Sequence, residues 1–388
     1  MNCVYIGVDA TNPTLILRIR SFLRAGVTLT GFTFRRQKFN RDFRPFWNNV
    51  HLGTTVDRRY LYRLPALAKG LWRMLRHGET FRRADFIYAR NLDLAVLGCF
   101  AKYLTRSRAQ LIYEVEDVQA VFFRPTLQGR IFRAIERWLL RRADLLVVMS
   151  PGFLRGYFIP TQNYDGPSYV LENRIQTDDR SLPEPGSREP WARSTEKVVI
   201  GWFGTLRCTK SMEILGRVAD ELGDKVEIYL RGYPTETGMA EFQEVLQRHP
   251  NWVYGGEYTV PDDLGDMYRR VHYAWCLDFL DAEGNSPLLL TCRMYQGGYY
   301  GAVPLVPAGS EMERWLAKIG IGHSIAPDYA ENLIAMLRRF DIEDYRAERA
   351  EVMEKREIFR EDGRDLQGLL GCIREQQPAK ATKPSDRH

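Results

Sequence analysis

The 388-residue chain contains no stretch of about 18 uncharged apolar residues, which argues against a hydrophobic helix crossing a bilayer. Its first residues, MNCVYIGVDA, carry Asp9 where a secretory leader has its apolar core, so a cytoplasmic location is expected. The six cysteines, Cys3, Cys99, Cys208, Cys276, Cys292 and Cys372, form no Cys-x-x-Cys pair and no Cys/His cluster. Neither a disulfide framework nor a zinc site is therefore expected. The chain also lacks a Walker loop and a GxGxxG fingerprint, which argues against kinase-like and NAD-dependent chemistry. No DxD-type metal motif stands between domains, because the PDD at 261–263 reads as the start of a helix. The six histidines are scattered, and His272, inside RRVHYAW, reads as a core residue.

What is present is an ordinary globular composition, 45% apolar, with its charge unevenly divided. Residues 1–190 carry 30 basic against 17 acidic side chains, and residues 191–388 carry 25 against 32. The basic residues of the first half alternate with large apolar ones in RRQKFNRDFRPFW, RRYLYRLPALAKGLWRMLRHGETFRR and RPTLQGRIFRAIERWLLRR. In the last of these, Ile131, Ile135, Trp138 and Leu139 fall at helical spacing among Arg130, Arg133, Arg137, Arg141 and Arg142. Such a helix suits the surface of an anionic membrane, and it equally suits ordinary amphipathic packing. Nucleic acid is not the expected partner.

Short apolar runs alternate with helical patterns. CVYIGV, VTLTGFTF, ADFIYAR, AQLIYEVED, DLLVVMS and SYVLEN read as strands, separated by amphipathic segments such as TLILRIRSFLRAG. This order predicts a parallel sheet covered on both faces. The polar, proline-broken stretch 176–196 reads as a linker. The alternation restarts with KVVIGWFG, VEIYLRG, WVYGGEY, HYAWCLDF and AVPLV. The expected plan is an α/β chain of two Rossmann-like parallel-sheet domains, 1–175 and 197–340, facing across a cleft. Helices follow over 341–376, and 377–388 reads as a disordered tail.

Two stretches carry residues suited to a nucleotide diphosphate. In GWFGTLRCTKSMEIL (201–215), a strand runs into Gly204, and a helix is expected to begin near Ser211 with Arg207 and Lys210 beside it. Backbone N–H groups and the positive helix end suit phosphate there, although a tight strand-to-helix turn with solvated cations would look the same. In DFLDAEGNSPLLLTCRMYQGGYYGAVPLV (278–306), Asn285, Ser286 and Pro287 suit a helix start, with Arg293 a turn or two on. Asp281 and Glu283 before it can interact with the helix dipole or accept hydrogen bonds from sugar hydroxyls.

IGWFGTLRC, YLRGYP, YTVPDDLGDMYRRVHYAWCLDF, NSPLLLTCRMYQGG and GAVPLV, in this order, resemble the C-terminal domain of bacterial exopolysaccharide glycosyltransferases of the succinoglycan-biosynthesis type. The first half, with YEVEDV at a strand end, is similar to the acceptor domain of a GT-B glycosyltransferase. The resemblance implies transfer of a sugar from a nucleotide-diphosphate donor, such as a UDP-sugar, to a lipid-diphosphate-linked oligosaccharide at the inner face of the cytoplasmic membrane. It implies no cofactor and no metal. Carried onto this sequence, Gly204, Thr205, Arg207 and Lys210 approach the diphosphate, while Arg231, Gly232 and Tyr258 border the base and ribose. Asn285, Ser286, Arg293, Tyr295 and Gln296 complete the donor pocket.

One departure stands out. Retaining members commonly carry two glutamates separated by seven residues on the helix of the second stretch, and this chain has Leu288 and Gln296 in those places. That favours an inverting mechanism with a general base at an N-terminal strand end. Asp117 is the first candidate and Glu116 the second, ahead of Asp9 and Asp93, and capping of the following segment is the plainer role for Asp117. A sugar-nucleotide epimerase and a non-catalytic sugar-binding protein of the same plan are the alternative readings.

Overall fold

A computed structural model of the chain describes residues 1–36, 43–55, 60–176, 197–235 and 238–376. The expected linker, apart from Gln176, and the expected disordered tail lie outside the described residues, as do short pieces of the first two basic stretches. The chain divides into two compact units. The first comprises residues 1–149, 157–171 and 363–388, and the second comprises 150–156 and 172–362.

The first unit is built on a parallel seven-stranded sheet. Its strands are β1 (Asn2–Gly7), β2 (Thr28–Arg35), β3 (Asn48–Thr54), β4 (Phe86–Arg90), β5 (Gln110–Val115), β6 (Leu145–Val148) and β7 (Ser168–Val170). Their order across the sheet is β3-β2-β1-β4-β5-β6-β7. The six residues of β5 are all buried, as a strand covered on both faces requires. On one face Leu15, Ile19 and Phe22 of the Pro13–Arg24 helix pack with Tyr5, Tyr88 and Val147. Leu366, Leu369, Leu370 and Ile373 of the Arg364–Glu375 helix join the same cluster, at the i, i+3, i+4, i+7 spacing of a single stripe. The hydroxyl of Tyr169 donates to the Asp365 carbonyl at 2.7 Å and secures the start of that helix.

The second unit has a parallel six-stranded sheet of β8 (Val198–Leu206), β9 (Val226–Pro234), β10 (Trp252–Tyr254), β11 (Tyr273–Trp275), β12 (Val303–Pro307) and β13 (His323–Ile325). Its order is β10-β9-β8-β11-β12-β13. In both sheets the first strand of the unit lies inside, and the order reverses beside it, between β1 and β4 and between β8 and β11. Open α/β sheets bind ligands at the carboxyl ends of strands at such reversals. The fold thus directs attention to the loops after β8 and β11, where the two sequence stretches fall.

His272, just before β11, is 1% exposed, and its Nδ1 accepts the Val199 N–H at 2.9 Å, so it is a core residue as expected. The short segment Ser150–Gly156 belongs to this unit. The Ser150 hydroxyl donates to the Leu288 carbonyl, and a Cβ on Gly152 would meet that carbonyl oxygen at 2.3 Å. Only glycine allows so close a backbone approach.

Candidate active site

β8 continues two residues beyond Gly204, to Leu206, and the next helix, Thr209–Leu222, begins two residues before Ser211. The connecting loop is therefore only Arg207 and Cys208. Gly204 has φ +108° and pairs in register with Gly232 of β9, at φ +121°. A Cβ on Gly232 would lie 1.8 Å from the Gly204 carbonyl oxygen, so the two strand ends touch through bare backbone. Thr205 and Arg207 are partly exposed past this contact, and the Arg207 N–H donates to the Thr205 carbonyl at 3.0 Å. The first turn of the Thr209–Leu222 helix carries no acidic residue, and its N-cap, Cys208, makes no side-chain cap bond. Its backbone donors keep the positive end of the helix available to an anion. Lys210, in that turn, lies 4.8 Å from the ring centre of Phe279 and 5.3 Å from that of Tyr329. The loop after β8 is thereby tied to the loop after β11.

The second stretch departs from its expected form. Asn285, Ser286 and Pro287 do not start a helix: residues 280–288 are turns, and the helix is Cys292–Tyr299, with Thr291 at its N-cap. The polar side chains close the turns on themselves. The Asp281 carboxylate accepts the Asn285 N–H at 3.1 Å, and the Ser286 hydroxyl donates to Asp278 at 2.7 Å while accepting the Asp281 N–H at 3.0 Å. These local bonds offer the backbone an alternative to helix, the usual competition for Ser, Asn and Asp. Leu288 consequently lies outside the helix that carries Gln296, so the two positions do not share one helical face. Glu283 is exposed on the turn.

Arg293 points back along this helix. Its Nη2 donates to the Leu277 carbonyl at 3.3 Å and lies 3.8 Å from the Asp278 carboxylate. Gln296 accepts the Tyr268 hydroxyl at 3.1 Å. Tyr295, expected in the pocket, is instead wholly buried, with its ring edge-on to Trp315 at 5.5 Å. It falls on the same inward face as Met294 and Gly298, and burial, with Glu172 nearby, pushes its hydroxyl pKa up. Its position is that of a core residue.

The loops after β9 and β10 approach the same place. Arg231 donates to the Gly256 carbonyl at 3.1 Å and also to the Glu257 carbonyl, so it shapes the loop that presents Tyr258. The Tyr258 hydroxyl is 3.8 Å from the point where a Gly204 Cβ would be. Burial raises its pKa, and the neighbouring charges that act on it include Arg293 and Arg231. Gly204, Arg231, Gly232, Tyr258 and Arg293 are thus brought together within this unit. Asp278, Phe279 and Tyr329, which hold Arg293, Ser286 and Lys210, were not singled out from the sequence. Asp278 opens the quoted stretch but has no positional signal separating it from Asp281 and Glu283.

In the first unit, Glu116 and Asp117 follow β5. Glu116 accepts the Thr14 hydroxyl at 3.0 Å and pairs with Arg90. Arg90 also lies 2.7 Å from Glu114, which is 3.2 Å from Arg18. The result is a neutral four-membered cluster of two arginines and two glutamates, three of its members almost fully buried. Burial opposes the charge of Arg90, yet Glu114 and Glu116 hold its pKa above the ordinary value. Asp117, by contrast, is exposed at the strand end. Asp9 is 3% exposed and accepts both the backbone N–H and the hydroxyl of Thr11.

Two parallel α/β sheets with this strand order match solved structures of the GT-B fold. Residues 19–158 match the glycosyl transferase 4-like domain. The chain is 30% identical over 347 residues to the succinoglycan biosynthesis protein ExoL of Rhizobium meliloti strain 1021, covering 87% of this chain and 84% of that protein. It belongs to the GT-B glycosyltransferases of bacterial exopolysaccharide biosynthesis. Among solved structures, Anabaena HepE in complex with UDP is 14% identical with a TM-score of 0.67, over 97% of this chain and 100% of that one. Sucrose-phosphate synthase from Thermosynechococcus elongatus is 14% identical with a TM-score of 0.72, over 97% and 98%. These two likenesses are of fold. Among the described residues, no helix is long and apolar enough to cross a membrane.

Proposed function

We infer that this glycosyltransferase takes a UDP-sugar and passes the sugar to a lipid-diphosphate-linked oligosaccharide at the inner face of the cytoplasmic membrane. The observation that carries the donor half is the turn after β8, where Arg207 and Lys210 flank a helix start without a side-chain cap beside the bare-backbone contact of Gly204 and Gly232. Charges and N–H groups placed there stabilise a leaving diphosphate without a metal ion. Arg231 and Tyr258 border the base and ribose. Thr205, Asn285, Ser286 and Gln296 shape the remaining wall, and Asp281 or Glu283 meets sugar hydroxyls. UDP in the solved structure of HepE supports the choice of nucleotide. The ExoL relative supports an acceptor on the polysaccharide assembly route.

The transfer inverts the anomeric centre, with Asp117 taking the proton of the acceptor hydroxyl. Its exposure at the β5 end suits a group that must meet a substrate, whereas Glu116 lies in the mostly buried cluster around Arg90. The position of Leu288 off the helix, and a neutral Gln296, remove the paired carboxylates that a retaining relative would use. Titration with UDP-glucose, and with GDP- and ADP-sugars for comparison, tests the donor. Arg207→Ala should weaken binding about tenfold or more, the effect of losing one charge-assisted hydrogen bond. Unchanged affinity places the diphosphate elsewhere. Incubation with a membrane lipid extract, followed by determination of the product's anomeric configuration, tests the acceptor and the stereochemistry together.

A further inference from the structure

The outer face of the first unit carries a feature that the donor and acceptor sites do not use. Along the Leu127–Leu140 helix, Leu127, Ile131 and Ile135 stand at i, i+4, i+8 and face solvent, Leu127 at 73% exposure. A surface helix ordinarily turns such a stripe inward. The sole acid of this helix, Glu136, is turned the other way, buried against the Tyr113 hydroxyl at 2.8 Å and Gln162 at 2.6 Å. The outward face is therefore apolar with arginines and has no carboxylate. Arg137, which the sequence groups with those arginines, is committed inward, donating to the Thr161 carbonyl at 3.1 Å.

Beside this stripe the Leu92–Leu104 helix ends in Phe100, Tyr103 and Leu104, all exposed, Tyr103 at 80%. Phe100 stacks on Trp138 with ring centres 5.9 Å apart, joining the two helices. The guanidinium of Arg142 lies 4.4 Å over the other ring system of that stack, Trp138. A half-open groove of about 690 Å³ runs here, lined by Phe100, Lys102, Tyr103, Arg106, Trp138 and Arg142 among others. Lys102 is paired with Asp144 at 3.2 Å, and the exposed cations at the rim are Arg106 and Arg142, the latter with one Nη donating to the Trp138 carbonyl at 3.0 Å. Arg106 has φ +54°, in the position after a helix end that glycine ordinarily takes.

Both helices lead into the amino ends of β5 and β6, so the groove lies at the edge of the sheet opposite Glu116 and Asp117. It is not the acceptor-sugar site. We propose that this groove is an anionic-phospholipid site, taking a headgroup phosphate between Arg106 and Arg142 and the upper acyl chain against Phe100, Tyr103 and Trp138. It rests on the membrane-bound acceptor proposed above and gives that membrane contact a place on the protein. The charge selects the occupant. A second copy meeting this face about a twofold axis would set arginines against arginines, since Asp144 beside the groove is already taken by Lys102 of its own chain. Single-stranded nucleic acid would use the stacked rings and the cations but would leave Leu104, Leu127, Ile131 and Ile135 idle. Aromatic rings with Arg at a water–apolar boundary, flanked by aliphatic side chains, match the bilayer surface.

The test is sedimentation of the full chain with phosphatidylcholine vesicles, with and without phosphatidylglycerol. Binding should require the anionic lipid, and soluble glycerol phosphate should not compete. Each cation near such a surface changes partitioning about fivefold, so Arg106→Gly with Arg142→Gln should lower it about twenty-fivefold. Arg106→Gly relieves a left-handed backbone, so its melting temperature should hold or rise while lipid binding falls. A merely structural arginine would not separate these two readouts. Should Arg106→Gly melt early, Tyr103→Ser with Arg142→Gln carries the test. Brominated phosphatidylglycerol should quench tryptophan fluorescence, with part of the quench lost in Trp138→Phe. Equal binding to neutral vesicles, or undiminished binding by the double variant, overturns the proposal. So does an oligonucleotide complex, or a self-associated dimer, that the same substitutions abolish. UDP-glucose titration of the same variants keeps the two proposals apart. Unchanged vesicle binding by variants that still bind the nucleotide sinks the groove alone, and vesicle binding without any nucleotide-sugar binding sinks the donor reading alone.

Discussion

Adding one methyl group to each of two neighbouring glycines should give two different phenotypes. In Gly232→Ala the new Cβ would sit 1.8 Å from the Gly204 carbonyl oxygen, well inside van der Waals contact, and the obstacle is backbone. β8 and β9 would have to part at this end. That endangers the Gly232 N–H bond to Gly256 at 2.9 Å and the Tyr254 hydroxyl bond to the Gly232 carbonyl at 2.6 Å. Two hydrogen bonds at about 1 kcal/mol each, plus about 1–2 kcal/mol for an alanine at positive φ, give a loss of about 3–4 kcal/mol. In Gly204→Ala the φ of +108° costs a similar torsional amount, but the nearest atom to the new Cβ is the Tyr258 hydroxyl at 3.8 Å. Its stability loss should be about 1–2 kcal/mol. The methyl would project toward Tyr258, into the space assigned to the nucleotide, so UDP-glucose affinity should fall disproportionately. Urea denaturation followed by UDP-glucose titration of both variants measures the two effects. Equal stability losses, or a Gly204→Ala protein with wild-type affinity, would refute the account of this contact.

Other substitutions test other parts of the structure. Glu114→Gln leaves Arg18 and Arg90 buried with Glu116 as the one remaining carboxylate of the cluster. Stability should drop by about 3–5 kcal/mol in a urea titration, and a loss under about 1 kcal/mol would contradict the reading. His272 is held neutral, its pKa lowered to about 4 by burial from an ordinary 6.5. The unfolded chain therefore takes up this proton first as pH falls. Stability contributed by His272 is present above pH 6.5 and lost toward pH 4, at up to about 1.4 kcal/mol per pH unit. His272→Asn, which keeps an acceptor for Val199, should flatten that part of the pH profile, and an unchanged slope would assign it to other groups. Asp117→Asn should cut kcat by about a hundredfold or more with donor affinity intact, and an active variant removes it as the base.

The alternation of apolar runs and amphipathic segments was enough to read two parallel-sheet units, because fully covered strands such as LIYEV carry that pattern locally. β3 was not read: NNVHLGT is a half-buried edge strand without an apolar run. The strand-to-helix turn that carries Gly204, Arg207 and Lys210 was legible, since a glycine at a strand end followed by a helical pattern is a local signal. The second stretch was read with the wrong backbone. Asn285, Ser286 and Pro287 have the letters of a helix start, but Asp278 and Asp281 take their hydrogen-bonding groups into turns, and the helix waits until Cys292. Tyr295 illustrates a further limit, because side-chain type does not tell which face of a short helix is buried. Nor does any local pattern announce that Ser150–Gly156 and the Arg364–Glu375 helix each belong to the unit other than that of their chain neighbours.

That last arrangement bears on synthesis. Leu366, Leu369, Leu370 and Ile373, each at most 2% exposed, complete a layer against residues near the start of the chain. A nascent polypeptide exposes Leu15, Ile19 and Phe22 long before their covering helix, which starts more than 340 residues after Phe22, has been made. The second unit, whose parts end at residue 362, can close while the first still has an open apolar flank. The unit whose translation begins earlier is therefore the one completed later.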